Sequence, residues 1–217
     1  MRQANPHDVL ALERVLVIDF ENTCGPGVTQ GTSDIIEIGA YCLSFAGDID
    51  AASAVSLLIR PVRSEVNTFC TRLTGIRPEQ VADQPTFPVR AVELEALARG
   101  FQSQAWVSWG QDQNLLHKQC VGAEVPNPLE GLPHFDIKRL LTSMVYEASG
   151  GERPKGSGDG VGLKTALKEL GLGFIGIPHS ARDDALNTAI LLKRLRSLAK
   201  EKGLVPPAGH PTRRPRM

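Results

Sequence analysis

Long apolar runs are missing from this sequence. No stretch approaches the roughly 20 consecutive apolar residues a membrane-spanning helix needs, and the opening MRQANPHDVLALERV interrupts any leader-like core with Pro6, His7, Asp8 and Glu13. Cysteine is scarce too. Cys24, Cys42, Cys70 and Cys120 are widely spaced, with no Cys-x-x-Cys pair, which argues against a zinc knuckle and a disulfide framework and suits a reducing cytosol. Nor is there an excess of either charge: 24 Lys and Arg balance 24 Asp and Glu, so no global field announces a polyanionic partner, and any such partner must be held locally. These absences predict a soluble cytoplasmic protein with no membrane partner. What is present is ordinary in bulk: 217 residues, 41% of them hydrophobic, are enough for one sizeable core.

Residues 14–20, RVLVIDF, read as a continuous apolar strand of the kind buried on both faces of a sheet. A loop rich in glycine follows, with Pro26 in it. DIIEIGAYCLSF (34–45) and AVSLLIRP (54–61) read as two further strands, and their short polar link predicts an antiparallel hairpin. TFPVRAVELEALARGF places Val89, Val92, Leu94 and Leu97 at the spacing of an amphipathic helix. QAWVSW (104–109) is a strand; NLLHKQC, FDIKRLLTSMVYEA and GLKTALKELGL are helical, the last two separated by SGGERPKGSGDG, read as a flexible loop or lid. SARDDALNTAILLKRLRSLAKEKG is a long helix ending at Gly203. Strands first, then strand–helix alternation, predict an α/β domain with a mixed central sheet flanked by helices. It runs over 11–203, behind a short extension (1–10) and ahead of a Pro/Arg-rich tail (204–217) expected to be poorly ordered.

Three places carry acid where apolar segments end. Asp19 and Glu21 close the first strand two residues apart, so both point to one face while Phe20 points away. At about 4 Å and an effective dielectric near 20 such charges repel by about 4 kcal/mol; exposure, a raised pKa or a cation relieves it. Asp112 falls where Ala105–Trp109 gives way to a helix, a position that also suits a helix N-cap. In HSARDDALNTA, Ser180 and Asp183 approach a capping box, which gives Asp183 a structural task. Asp184 does not share it: helical spacing aligns it with Thr188, Leu191, Leu195 and Leu198 on the core-facing stripe. A carboxylate there costs several kcal/mol unless it is paired. His179 lies five residues upstream. Each acid alone has an ordinary explanation. Together, four carboxylates facing one point make an oxygen-only site suited to Mg²⁺ or Mn²⁺, and so to phosphodiester chemistry with two metal ions.

The set Asp19, Glu21, Asp112, His179 and Asp184 resembles the DEDDh 3′→5′ exonucleases, on the ribonuclease H-like fold. DFENTC, DIIEIGAYC, FCTRLTGI, PTFPVRAVE, SWGQDQ and HSARDDALNTA are similar to the branch containing the histone-mRNA 3′ exonuclease, the enhanced-RNAi nucleases and the KapD-type proteins. The likeness runs from about Val15 to Leu195. It implies that Asp19, Glu21, Asp112 and Asp184 hold two divalent ions and that His179 deprotonates the attacking water. The substrates it implies are single-stranded 3′ ends, RNA favoured over DNA, with release of 5′-mononucleotides. It also places backbone groups around Phe20, Asn22 and Thr23 against the terminal sugar. The aromatic residue that usually precedes the second-motif aspartate is replaced by Gln111, which leaves Trp109 and Phe69 as candidate stacking surfaces; each is also an ordinary core aromatic. Arg72, Arg77 and Lys164 are candidates for upstream phosphates, and Arg213, Arg214 and Arg216 for nonspecific attraction. A DNA exonuclease of the proofreading kind shares the metal site, and a nucleic-acid-binding module without turnover shares the fold.

Overall fold

In β1 (Arg14–Asn22), Val15, Leu16, Val17 and Ile18 are all fully buried, a pattern that only a strand covered on both faces permits. This is a computed structural model, and it describes residues 5–110, 112–147 and 161–203. Gln111, the loop over 150–160 and the tail over 204–217 lie outside the described residues. β1 is the middle of a five-stranded sheet in the order β3-β2-β1-β4-β5. β2 (Ile35–Ser44) and β3 (Val55–Leu58) add antiparallel on one side, and β4 (Ala105–Ser108) and β5 (His134–Asp136) add parallel on the other. The expected hairpin and mixed sheet are both present.

The helices are α1 (Thr68–Thr74), α2 (Pro78–Val81), α3 (Phe87–Gly100), α4 (Asp112–Ala123), α5 (Ile137–Leu141), α6 (Leu163–Glu169) and α7 (Ala181–Glu201). The period-2 alternation of β1 divides them into two layers. Val15 and Val17 pack with Tyr41, Val107 and Phe135 against Ala185, Leu191 and Leu195 of α7. Leu16, Ile18 and Phe20 face the opposite layer, with Phe87, Ala91 and Leu94 of α3 and Leu116 and Cys120 of α4. Asp19 and Glu21, odd-numbered like Val15 and Val17, therefore belong to the face covered by α7.

Two local expectations need correction, and two further segments carry structure that no pattern predicted. The buried stripe of α3 is Phe87–Ala91–Leu94–Ala98, whereas Val89 and Val92 are 50% and 65% exposed; two alanines on the inner face let the helix axis approach the sheet, so small residues mark the seam and the valines do not. Phe135 and Asp136, expected to open a helix, lie in the edge strand β5, too short to show a period. Asp136 ends it and accepts the Lys138 N–H at 2.9 Å, starting α5. Pro6–Ala11, overlapping the expected extension over 1–10, forms a 3-10 turn that buries Val9 and Leu10 in the α7-side core. The short helices α1 and α2 had no periodic signal; Asn67 caps α1 by accepting the Cys70 N–H at 2.9 Å. Among the described residues no helix is long and apolar enough to cross a membrane.

Candidate active site

Where the α7-side apolar face of β1 gives way to acid, α7 begins. Gly39 of β2 lies opposite Asp19, and a β-carbon there would collide with the Ala181 carbonyl oxygen and the Arg182 nitrogen. Glycine at this position lets the start of α7 rest on the sheet, which lowers Asp184, one turn into the helix, toward the strand-end acids. Just before the helix, His179 takes a left-handed conformation (φ 65°) and its backbone N–H donates to Asp184 Oδ2 at 3.1 Å. Glu21, His179 and Asp184 consequently offer donor atoms that all lie within 4.8 Å of one another.

Asp19 and Asp112 stand outside that triplet and are joined to it electrostatically. Burial pushes the Asp19 carboxyl well above the usual carboxylate range, and the charges of Asp112, Asp184, Glu21 and Glu37 push it further. Glu21 is pushed up to about 8, first by burial and then by Asp184, Glu37 and Asp112. Asp184 rises to about 6 through burial, opposed by the bond from His179. Asp112 also rises to about 6 through burial, opposed by a hydrogen bond from Ser108 and by the charge of Lys138. Burial is the first cause of all four shifts, and at Asp19 and Glu21 the neighbouring negative charges add to it. The donor set is carboxylate oxygen with one imidazole at its rim. Such a set fits hard divalent cations, whose charge would restore the ionised forms.

The expected capping box does not form. Ser180 is the N-cap residue but makes no side-chain cap bond. Asp183 still has a structural task, accepting the Ile177 N–H at 2.9 Å and an Arg182 N–H at 3.0 Å. At the sugar-side positions the side chains are engaged within the protein. The Phe20 side chain is in the α3-side core, leaving only its backbone near the site. Thr23 is fully buried: its N–H donates to the Asp34 carbonyl at 2.8 Å and its hydroxyl pairs with Ser64 at 2.6 Å, so it holds the loop and has nothing left for a sugar. Asn22 likewise spends its amide on Ser33 Oγ and the Thr23 carbonyl. Phe69, by contrast, is 52% exposed on α1, against Gly25 in the loop that follows β1. Asn67 fixes that placement by donating to the Cys24 carbonyl at 2.9 Å. Trp109 is half-buried against the α7-side core, with the Lys138 ammonium 5.8 Å from its ring centre. Arg72, Arg77 and Lys164 are exposed.

Several neighbours of the candidate site escaped the sequence reading. Glu37 and Ser108 are buried polar groups inside strands. Ser108 Oγ lies 2.9 Å from His134 Nε2, and burial pushes the His134 imidazole down to about 4, so it is neutral beside Asp112's support. Lys138 acts on Asp112 from the first turn of α5. Glu37 had a legible signal, a lone charge inside an apolar strand; His134 had none, because β5 itself was not visible, and Ser108 and Lys138 are ordinary polar residues of a strand and a helix.

A sheet in this order, with acids from the end of β1, from the start of α4 just beyond its parallel neighbour β4, and from the start of α7, is a nuclease-type fold. The chain belongs to the exonuclease family RNase_T, whose pattern it matches over residues 16–192; the family is divalent-metal dependent. It is 28% identical over 203 residues to the ERI1 exoribonuclease 2 of Danio rerio, covering 83% of this chain and 34% of that protein. It is 25% identical over 190 residues to the human 3′-5′ exoribonuclease 1, covering 83% and 52%. The chain thus spans between about a third and a half of these relatives' length. In three dimensions it superposes on the nuclease domain of 3′hExo, a DEDDh family member bound to rAMP, with TM-score 0.71 and 22% identity, over 88% of this chain and 94% of that one.

Proposed function

We propose that this chain is a metal-dependent 3′→5′ exoribonuclease that shortens single-stranded RNA from its 3′ end and releases 5′-mononucleotides. The observation that carries the reading is the meeting of Glu21, His179 and Asp184 within 4.8 Å, in the electrostatic reach of Asp19 and Asp112. The exoribonuclease names of the relatives support RNA as the substrate class.

The chain's own groups divide the work. Asp19, Glu21, Asp112 and Asp184 hold Mg²⁺ or Mn²⁺, two ions per site, which when bound polarise the scissile phosphate and offset the charge that builds on it. His179, exposed at the rim, takes a proton from the attacking water on a ring nitrogen. The water oxygen bonds to phosphorus, the bond from phosphorus to the preceding 3′-oxygen breaks, and that oxygen takes a proton from solvent water to become the new 3′ hydroxyl, while His179 returns its proton to solvent. Phe69 offers a face for the terminal base; base–aromatic stacking is worth roughly 1–3 kcal/mol.

Digestion of 5′-labelled RNA and matched DNA strands under Mg²⁺ and Mn²⁺ titration tests this, with Asp19→Ala as control. Stepwise shortening of RNA, faster than of DNA and lost in the variant, is the expected result. Equal cutting by the variant overturns the site, faster cutting of DNA favours a DNA exonuclease, and tight binding without cutting favours a binding module.

A further inference from the structure

The proposed chemistry leaves one buried carboxylate beside it without a task. Glu37 is 5% exposed and lies opposite Glu21 in the β1–β2 register, so two acids stand side by side on the face that α7 covers. Like charges placed directly across a strand pair oppose pairing, and a buried carboxylate is retained only where donors satisfy it. Glu37 has them. Oε1 accepts the Ser56 hydroxyl at 2.6 Å, and Oε2 accepts the Ala181 N–H at 3.0 Å.

Ala181 is the first residue of α7, and its N–H is one of the donors that a helix start leaves without an internal partner. The N-cap Ser180 supplies no side-chain acceptor. A glutamate 144 residues away in sequence supplies one instead. Two residues along the same strand, Gly39 is where the Ala181 backbone rests on the sheet. Glu37 and Gly39 together fix the height and register of α7 over β1. Asp184 is three residues past Ala181 and His179 two residues before it, and both belong to the group that meets Glu21.

Resting on the nuclease reading above, we propose that Glu37 is a positioning residue: by holding the Ala181 N–H it sets His179 and Asp184 against Glu21, and it is not a further metal ligand. Its oxygens accept from the Ser56 hydroxyl and from a helix-start N–H, which gives this carboxylate a holding task that needs no ion.

Two substitutions separate the roles. In Glu37→Gln the amide oxygen still accepts the Ala181 N–H, and the amide nitrogen donates to Ser56 Oγ, which turns from donor to acceptor. Glu37→Asp keeps the charge but withdraws the acceptor from the helix. Both are compared with the full chain and with Asp19→Ala by stepwise RNA shortening, by half-saturating Mg²⁺, and by amide hydrogen exchange over residues 181–184. The expected result is Gln within about threefold of the unsubstituted chain in kcat and in Mg²⁺ dependence. Asp should lose kcat roughly 10²-fold, the scale of an ångström-sized misplacement, with KM little changed and faster exchange at Ala181. A Gln variant as impaired as Asp, with a raised Mg²⁺ requirement, makes Glu37 a ligand and overturns the proposal; so does an Asp variant with unchanged kcat and exchange. Should the unsubstituted chain leave RNA intact, the proposed function fails, and the exchange comparison still decides whether Glu37 holds the helix.

Discussion

A carboxylic acid buried among others keeps its proton until a cation replaces it, and the site acids here illustrate the consequence. Glu21 at about 8 and Asp112 and Asp184 at about 6 all lie above the ordinary carboxylate range. The folded state therefore holds protons that the unfolded chain has already released, and the metal-free fold loses stability as pH rises from about 4 to about 8. Thermal melting in chelator should show Tm falling across that window, and Mg²⁺ or Mn²⁺ should raise Tm more at pH 8 than at pH 5, because binding needs the ionised acids. A flat Tm, or equal metal shifts at both pH values, contradicts the crowding. His179 is a separate matter: it sits at the exposed rim, so His179→Ala should cost about 10²–10⁴ in the rate of RNA shortening and little in melting temperature. A variant that cuts as fast as the parent removes His179 from the proton-transfer role.

Between the helices and the sheet, small residues decide the spacing. Gly39 admits the start of α7, so Gly39→Ala should destabilise the fold by about 1–3 kcal/mol through overpacking, and RNA shortening should slow as well, because Asp184 rides on the displaced helix. Urea unfolding and the same digestion assay measure the two effects; an alanine tolerated in both would mean that the helix can shift freely. On the other face, Leu94→Ala should cost about 2–5 kcal/mol, whereas Val92→Ala, at a 65% exposed position, should be close to neutral. The reverse order in urea would restore the valine face that hydrophobicity alone suggests. Here the limits of the sequence are physical. Long apolar strands such as β1 and β2 announce themselves because both faces are buried. The α3 seam does not, since its alanines matter for what they leave out, and neither does β5, whose three residues complete no pattern.

At the scale of the whole chain, the acids come from positions 19, 21, 112 and 184, and the topology brings them together. β1 and β4 run parallel and adjacent, so Asp19 and Glu21 at the end of β1, and Asp112 just beyond β4, emerge at the same edge of the sheet. α7 crosses that edge through its contact at Gly39. Of this arrangement the sequence showed the acids, because charge at the end of an apolar strand or on a core-facing helical stripe is conspicuous. It did not show their supports: Glu37 beneath Ala181, Ser108 and His134 behind Asp112, and Lys138 beside it act through contacts between segments far apart in the chain. The side chains of Asn22 and Thr23 went the opposite way, being spent on loop structure. The convergence itself is tested most directly by Mn²⁺ titration followed by electron paramagnetic resonance on the chain and on Asp19→Ala, Asp112→Ala and Asp184→Asn. Two ions bound per chain, with each substitution weakening the binding although the residues come from three different elements, is the predicted result; Mn²⁺ binding left unchanged by Asp112→Ala would contradict a single shared site.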